Sequence, residues 1–248
     1  MTLQFFGLSE QANRESNDDC FAADGQIGLF AVADGIGGRP GASTASRAAV
    51  AALLKRIGGL DRAARFQEDA LREALAGVNA EVIAVGERDP ELTGLGTTLT
   101  ALLLGEDEGC LVHLGDSRAY RLRDGALTRL TQDHTVANEL VRLNRLRPEE
   151  VARHPLRATL SRFIGSPSDA DADVHVFHSS PGECFLLATD GLTAVLSEDD
   201  ILRLSLGALP NGMEAVCRSL AADAVRRSPP DNVTVVAVAV GDPHGVSP

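Results

Sequence analysis

The sequence predicts an α+β fold of two stacked antiparallel sheets, each with a pair of helices outside it. Three observations lead there. Short apolar, β-branched runs dominate residues 1–34, 97–130, 172–190 and 232–240, whereas apolar residues recur at helical spacing at about 42–57, 68–87, 198–206 and 212–227. Strands and helices therefore come in blocks, which is the pattern of antiparallel layers and not of strict strand-helix alternation. The helical stretches form two pairs, one for each sheet. Asp124-Gly125, set between two short runs in RLRDGALTRL (121–130), is a strong hairpin signal.

Taken in order, the first strand block holds an acid-first segment, Asn17 to Phe21 (NDDCF), and a run that ends in an acid, Leu29 to Gly35 (LFAVADG). The glycines of DGIGGRPG make a tight turn before a helix from about Ser43. After the first helical pair, the second strand block contains LVHLGDS (111–117) and the hairpin. Residues 131–165 break the pattern and read as an irregular lobe beside the sheets. A third acid-ended run follows, Phe185 to Gly191 (FLLATDG), then the second helical pair, then the acid-first strand Asp231 to Val240 (DNVTVVAVAV). One domain over 1–240 is expected, with 241–248 as a flexible tail.

In antiparallel sheets one rim collects the ends of strands running one way and the starts of those running the other. Asp34, Asp116, Asp190, Asp231 and the pair Asp18 and Asp19 are thus expected to meet there. Any single Asp-Gly pair is ordinary turn chemistry, but five coincidences at strand ends call for a common cause. Crowded carboxylates raise one another's pKa and repel, and a hard cation such as Mg²⁺ or Mn²⁺ resolves that conflict.

The composition narrows the function. The 248 residues are 44% hydrophobic with a net charge of −12, which disfavours nucleic acid and anionic membranes as partners. Lys55 is the sole lysine and lies in LLKR, so neither a Schiff base nor a Walker-type phosphate loop is at hand. Cys20, Cys110, Cys184 and Cys217 lie in or beside apolar runs with no C-x-x-C pair, as expected of reduced, buried thiols. No signal peptide is apparent in MTLQFFGLSE and no apolar stretch approaches the ~20 residues of a membrane span, so a cytoplasmic location is expected. Asp169, Asp171 and Asp173 imitate the start of an EF-hand, but Val174 and Ser180 occupy the positions that need glycine and glutamate. Neither H-E-x-x-H nor G-x-S-x-G occurs, and His134 and His154 read as structural or solvent-facing.

The acids sit inside motifs that resemble those of the metal-dependent, type 2C (PPM) family of protein serine/threonine phosphatases, in its bacterial single-domain form. Arg14 to Asp19 (RESNDD) resembles the family's R-x-x-N-[EQ]-D, and AVADGIGG (31–38) its VADGMGG. GTTLTALL (96–103), HLGDSRAYRLRDG (113–125), LLATDGLTAVLS (186–197) and DNVTVVAV (231–238) follow in the family's order. The resemblance implies the family's four-layer αββα sandwich, which agrees with the blocks above. It implies that Asp34 bridges two Mn²⁺ or Mg²⁺ ions with the Gly35 carbonyl on one, that Asp190 and Asp231 hold the other, and that Asp18 or Asp19 stands near through water. Asp116 with Asp190 would form a weaker third site. Arg14, a permanently charged planar fork, suits bidentate holding of phosphate.

Three departures stand out. Asp18 replaces the longer Glu or Gln usual there, Ile36 and Arg39 stand where members carry histidine, and Ala194 replaces a common Asp. No general acid for the leaving alkoxide is therefore obvious. The implied activity is hydrolysis of phosphoserine and phosphothreonine by attack of a metal-bridging water, with phosphorylated proteins as partners, a bacterial serine/threonine kinase among them, and a monomeric state. A phosphoprotein-binding pseudophosphatase and a small-phosphoester hydrolase are the alternatives. The lobe is assigned to substrate choice: Arg142, Arg145, Arg147, Arg153, Arg157 and Arg162 would offer positive charge to a phosphorylated loop, unless they merely neutralise Glu139, Glu149 and Glu150.

Overall fold

The structure, a computed structural model, describes residues 2–36, 41–167 and 171–241. Its elements run β1 (Leu3–Glu10), β2 (Asp19–Asp24), β3 (Leu29–Asp34), α1 (Ala42–Gly58), α2 (Glu68–Glu87), β4 (Leu99–Leu104), β5 (Glu108–Leu114), β6 (Arg118–Arg123), β7 (Ala126–Arg129), α3 (Val136–Arg142), β8 (Asp173–His178), β9 (Cys184–Ala188), α4 (Asp190–Thr193), α5 (Glu198–Ala208), α6 (Met213–Arg226) and β10 (Val233–Val240). One sheet has the order β1-β10-β9-β6-β7 and the other β2-β3-β4-β5-β8, and every neighbouring pair is antiparallel. The expected four layers are there, with α1 and α2 against the β2-β3 sheet and α5 and α6 against the β1-β10 sheet.

Antiparallel strands usually alternate apolar and polar residues, yet these read as unbroken apolar runs because both faces are covered. In β3, Leu29, Ala31 and Ala33 face the helices while Phe30 and Val32 face the other sheet. In β10, Val233, Val235, Ala237 and Ala239 face helices, and Val236, Val238 and Val240 meet Phe30 and Val32 between the sheets. Each fully buried side chain of this size contributes about 1.5–3 kcal/mol by leaving water. The Asp124-Gly125 hairpin is as expected: both residues have positive φ, at 50° and 72°, as a type I′ turn requires.

The lobe at 131–165 is more ordered than its sequence promised. Thr135 caps α3 by accepting the Asn138 N–H, and a 3₁₀ turn spans Pro148–Arg153. Bridges Thr135↔Leu160 and Thr97↔Ile164 close its base, with Ile164 buried in the core beneath. Half of its arginines follow the plain alternative. Arg142 pairs with Glu139, Arg147 with Glu149 and Glu150, and Arg162 with Asp173 and Glu139, whereas Arg145, Arg153 and Arg157 make no ion pair among the described residues. Gly37, Gly38 and Arg39 of the glycine turn, Asp169 of the EF-hand imitation and the tail beyond Gly241 lie outside the described residues.

Candidate metal centre

The register carries the acids to one rim. Asp19 opens β2 and Asp34 closes β3, and the two are direct partners across the ladder. β5 runs parallel to β3, so Asp116, two residues past its end, arrives at the same rim as the chain crosses into β6 of the other sheet. There Arg118 and Val235 both pair with Ala188, so the start of β6, the start of β10 and the end of β9 coincide. Asp190 and Asp231 flank that point. The charges acting on Asp34 come from Asp19, Asp190, Asp231 and Asp116. Asp18 is not in that set, and its carboxylate accepts from Ser16 Oγ at 3.1 Å.

Burial raises the Asp34 carboxyl well above its usual range, and the four neighbouring carboxylates add to the rise. Burial likewise pushes Asp19 and Asp116 up to about 7, and it raises Asp190, with Asp231 adding to the effect. Two cations are at hand: Arg118 acts on Asp116 and Asp190 but is itself engaged by Asp133, and Arg14 has its Nη1 3.5 Å from Asp231 Oδ2 and also 3.5 Å from the Pro230 carbonyl. Asp190 Oδ1 is buried with no hydrogen-bond partner. An unpartnered buried carboxylate oxygen among four more acids fits a cation ligand, because Arg118 and Asp34 offset only part of its cost.

The donor set also says what kind of cation. The donors gathered at the rim are carboxylates, hard oxygen ligands that suit Mg²⁺ or Mn²⁺ completed by water. Gly35 fits a backbone ligand as well. A Cβ there would collide with the Ala42 carbonyl, so the main chain lies tight against the start of α1.

Hydroxyl groups fix the acids, and sequence reasoning passed over them. Asp19 Oδ2 accepts from Thr234 Oγ1 at 2.6 Å and Thr189 Oγ1 at 2.9 Å. Thr234, having donated, accepts from Ser9 Oγ at 2.7 Å, and Ser9 accepts from Asn17 Nδ2 at 2.9 Å. The Asp34 N–H donates to Thr98 Oγ1 at 2.9 Å, and its carbonyl accepts from Thr97 Oγ1 at 2.8 Å. Asn232 donates to the Gln11 and Ser16 carbonyls and accepts the Asp18 N–H, tying Arg14's loop to β10. Thr189 and Thr234, which interrupt the apolar runs beside Asp190 and Asp231, were the available signal.

Beside the acids opens a cleft of about 620 Å³ lined by Arg14, Asp34, Thr98, Asp116, Asp190 and Asp231. Its other wall is mostly apolar: Ile36 with Ala158, Leu160 and Phe163 of the lobe, and Thr159 among them. No imidazole is among these lining residues.

The chain matches the protein phosphatase 2C family over residues 6–228. It is 36% identical over 233 residues to the serine/threonine protein phosphatase PstP of Mycobacterium tuberculosis, covering 92% of this chain and 43% of that protein. It thus spans less than half the length of that relative. It is 31% identical to the serine/threonine phosphatase stp of Listeria monocytogenes, over 76% of each chain. Among solved structures, that of the Mycobacterium tuberculosis phosphatase PstP/Ppp superposes with a TM-score of 0.85 at 34% identity, over 98% of this chain and all of the other. The PstP catalytic domain in complex with two manganese ions gives 0.82 at 33% identity, over 97% and 99% of the two chains.

Proposed function

The chain belongs to the protein phosphatase 2C family, and on that premise we propose that it is a metal-dependent phosphoprotein phosphatase that hydrolyses phosphoserine and phosphothreonine. The observation that carries this reading is the rim itself: Asp34, Asp116, Asp190 and Asp231 come from separate segments to line one cleft with Arg14, and the charge of Asp19 acts on Asp34. None of the metal-motif aspartates is missing, which speaks against a pseudophosphatase. The manganese complex of the mycobacterial relative supports Mn²⁺ or Mg²⁺ as the ions.

Asp34 would serve both ions with the Gly35 carbonyl on one, Asp190 and Asp231 would hold the other, and Asp116 with Asp190 a weaker third. Asp19 stands close behind, and Asp18 is directed to Ser16. When bound, such ions lower the pKa of water and offset charge on the phosphoryl oxygens. The protein's own share is positioning. Arg14, held loosely by Asp231 at 3.5 Å, is free to turn its fork to a phosphate. The hydroxyl network fixes the carboxylates before substrate arrives, so little reorganisation remains for the reaction. The lobe wall of Leu160 and Phe163 narrows the cleft and excludes water from one side. With no imidazole lining the cleft, the leaving alkoxide is left to take its proton from solvent.

Substrates on this reading are phosphorylated proteins, an opposing serine/threonine kinase among them, and the protein works as a cytoplasmic monomer. No helix among the described residues is long and apolar enough to cross a membrane, which is compatible with that location. Phosphate release from a phosphothreonine peptide tests the activity. Turnover with Mn²⁺ that stops in excess chelator is expected, and undiminished turnover in chelator would refute the metal mechanism.

A further inference from the structure

We propose that His134 is a positioning residue that holds the Asp116 crossover and the lobe wall in one geometry, acting through Gly115 and Asp173. The proposal rests on the hydrolase reading above. Asp116 sits on the three-residue link between β5 in one sheet and β6 in the other. Gly115 begins that link at φ +108°, where a Cβ would press on Thr98, so the link has no side chain of its own on that flank.

His134 supplies what is missing. Its N–H donates to the Gly115 carbonyl at 2.7 Å, and its ring Nδ1 accepts the Gly115 N–H at 3.3 Å. One residue thus satisfies both backbone groups next to Asp116. On the far side Ser117 is held in turn, its Oγ by Thr98 Oγ1 at 2.8 Å and its carbonyl by Thr100 Oγ1 at 3.1 Å.

The same ring reaches the opposite way. Nε2 lies 3.0 Å from Asp173 Oδ2, Asp173 Oδ1 accepts from Arg162 Nη1 at 2.8 Å, and the His134 carbonyl accepts the Ser161 N–H at 2.9 Å. The start and the end of the lobe are therefore joined through His134, its backbone meeting Ser161 and its ring meeting the partner of Arg162, and Leu160 and Phe163 of the cleft wall lie within two residues of that junction. The network fixes the tautomer. Because Gly115 N–H is a donor, Nδ1 carries no proton and Nε2 donates to Asp173. Burial holds the ring pKa below its usual value, and the ring lies tilted against His113, centroids 4.6 Å apart, which burial also keeps neutral. Partners one step behind a site of this kind are worth about 10–100-fold in activity, because small displacements of the acting group are costly.

Two amides separate the two arms. His134→Asn places its oxygen near the Nδ1 position and keeps the Gly115 contact, whereas His134→Gln reaches the Nε2 position and keeps only Asp173. Asp173→Ala cuts the lobe arm at an exposed strand end by removing the acceptor of Nε2 while leaving the ring and its Gly115 contact in place. Hydrogen exchange of the metal-free proteins over 113–118 and 158–164 is measured beside kcat and KM for a small aryl phosphate with Mn²⁺.

His134→Gln should speed exchange at 113–118 about tenfold and lower kcat by a similar factor with KM unchanged, while His134→Asn stays near wild type in both. Asp173→Ala should loosen 158–164 alone. Wild-type protection at 113–118 in His134→Gln, or equal losses of kcat in the Asn and Gln variants, would overturn the proposal. Should the wild type prove inactive on every phosphoester, the hydrolase reading falls, and the exchange arm still decides whether His134 holds the link.

Discussion

Strand β9 carries a buried carboxylate at each end, and the protein treats the two in opposite ways. Glu183, just before the strand and 1% exposed, is met by Arg121 at 2.6 Å, Arg123 at 3.1 Å and the Ser180 N–H at 3.2 Å. Asp190, just after it, has a buried oxygen with no partner and further carboxylates for neighbours. Six residues separate a satisfied acid from an unsatisfied one. A buried charge with its own arginines is finished structure, whereas one left among like charges awaits something the chain does not supply.

Exchanging the two acids for their amides should break that symmetry most sharply. Asp190→Asn and Asp34→Asn should each lower kcat by about 10³-fold, the order seen when a group facing developing charge is removed. Glu183→Gln should leave kcat unchanged and lower stability by about 1–3 kcal/mol, since the arginines lose a charged acceptor. In metal-free protein Asp190→Asn should raise the melting temperature, because it relieves repulsion. A fall in melting temperature would mean that Asp190 is already satisfied.

Metal should convert one end of the strand into the likeness of the other. Mn²⁺ at a hundredfold excess over its dissociation constant adds about 2.7 kcal/mol to wild type, with a smaller gain in Asp190→Asn; equal melting shifts would place the ion elsewhere. Asp116→Asn should slow turnover while leaving that stabilisation intact, and loss of the shift would argue against a separate weaker site.

The pH dependence is subtler. Burial raises Asp19 and Asp116 to about 7 from ordinary values near 3.8, so between those limits the native state holds more protons than the unfolded one. Stability of the chelated protein is then fully present below pH ~4 and is lost as pH rises toward and through 7. Melting in chelator should be higher at pH 5.5 than at pH 8, with Mn²⁺ reducing the difference. A rise between those pH values would contradict the crowding.

The smallest effect belongs to the lobe, whose arginines repeat the contrast at the surface. Replacing Arg145, Arg153 and Arg157 together should raise KM for a phosphoprotein a few-fold, in a salt-sensitive way, and spare a small aryl phosphate. Loss on both substrates would mean that the lobe shapes the centre itself.

Much of this was legible beforehand, for an identifiable reason. Acids at strand ends and apolar runs covered on both faces are local patterns, and the rim follows from antiparallel pairing alone. Asp19 and Asp18 could not be told apart, because their placement depends on Thr189 and Thr234, more than 150 residues away in the chain. His134 read as a structural residue because its partners, Gly115 and Asp173, are set by a crossover between sheets that no periodicity reveals. The order within the lobe was hidden for the same reason: bridges from Thr135 to Leu160 and from Thr97 to Ile164 supply what propensity did not.

The place of β10 has a consequence for how the molecule comes into being. It lies between β1 and β9, in register with Leu3 to Glu10 on one side and Cys184 to Ala188 on the other. A ribosome delivers it after every other strand described, so the growing chain carries two unsatisfied strand edges until β10 fills the slot between them. Loop closure across more than 200 residues makes that insertion slow. Because Asp231 and Asn232 arrive with it, the carboxylate rim cannot assemble until that sheet is complete.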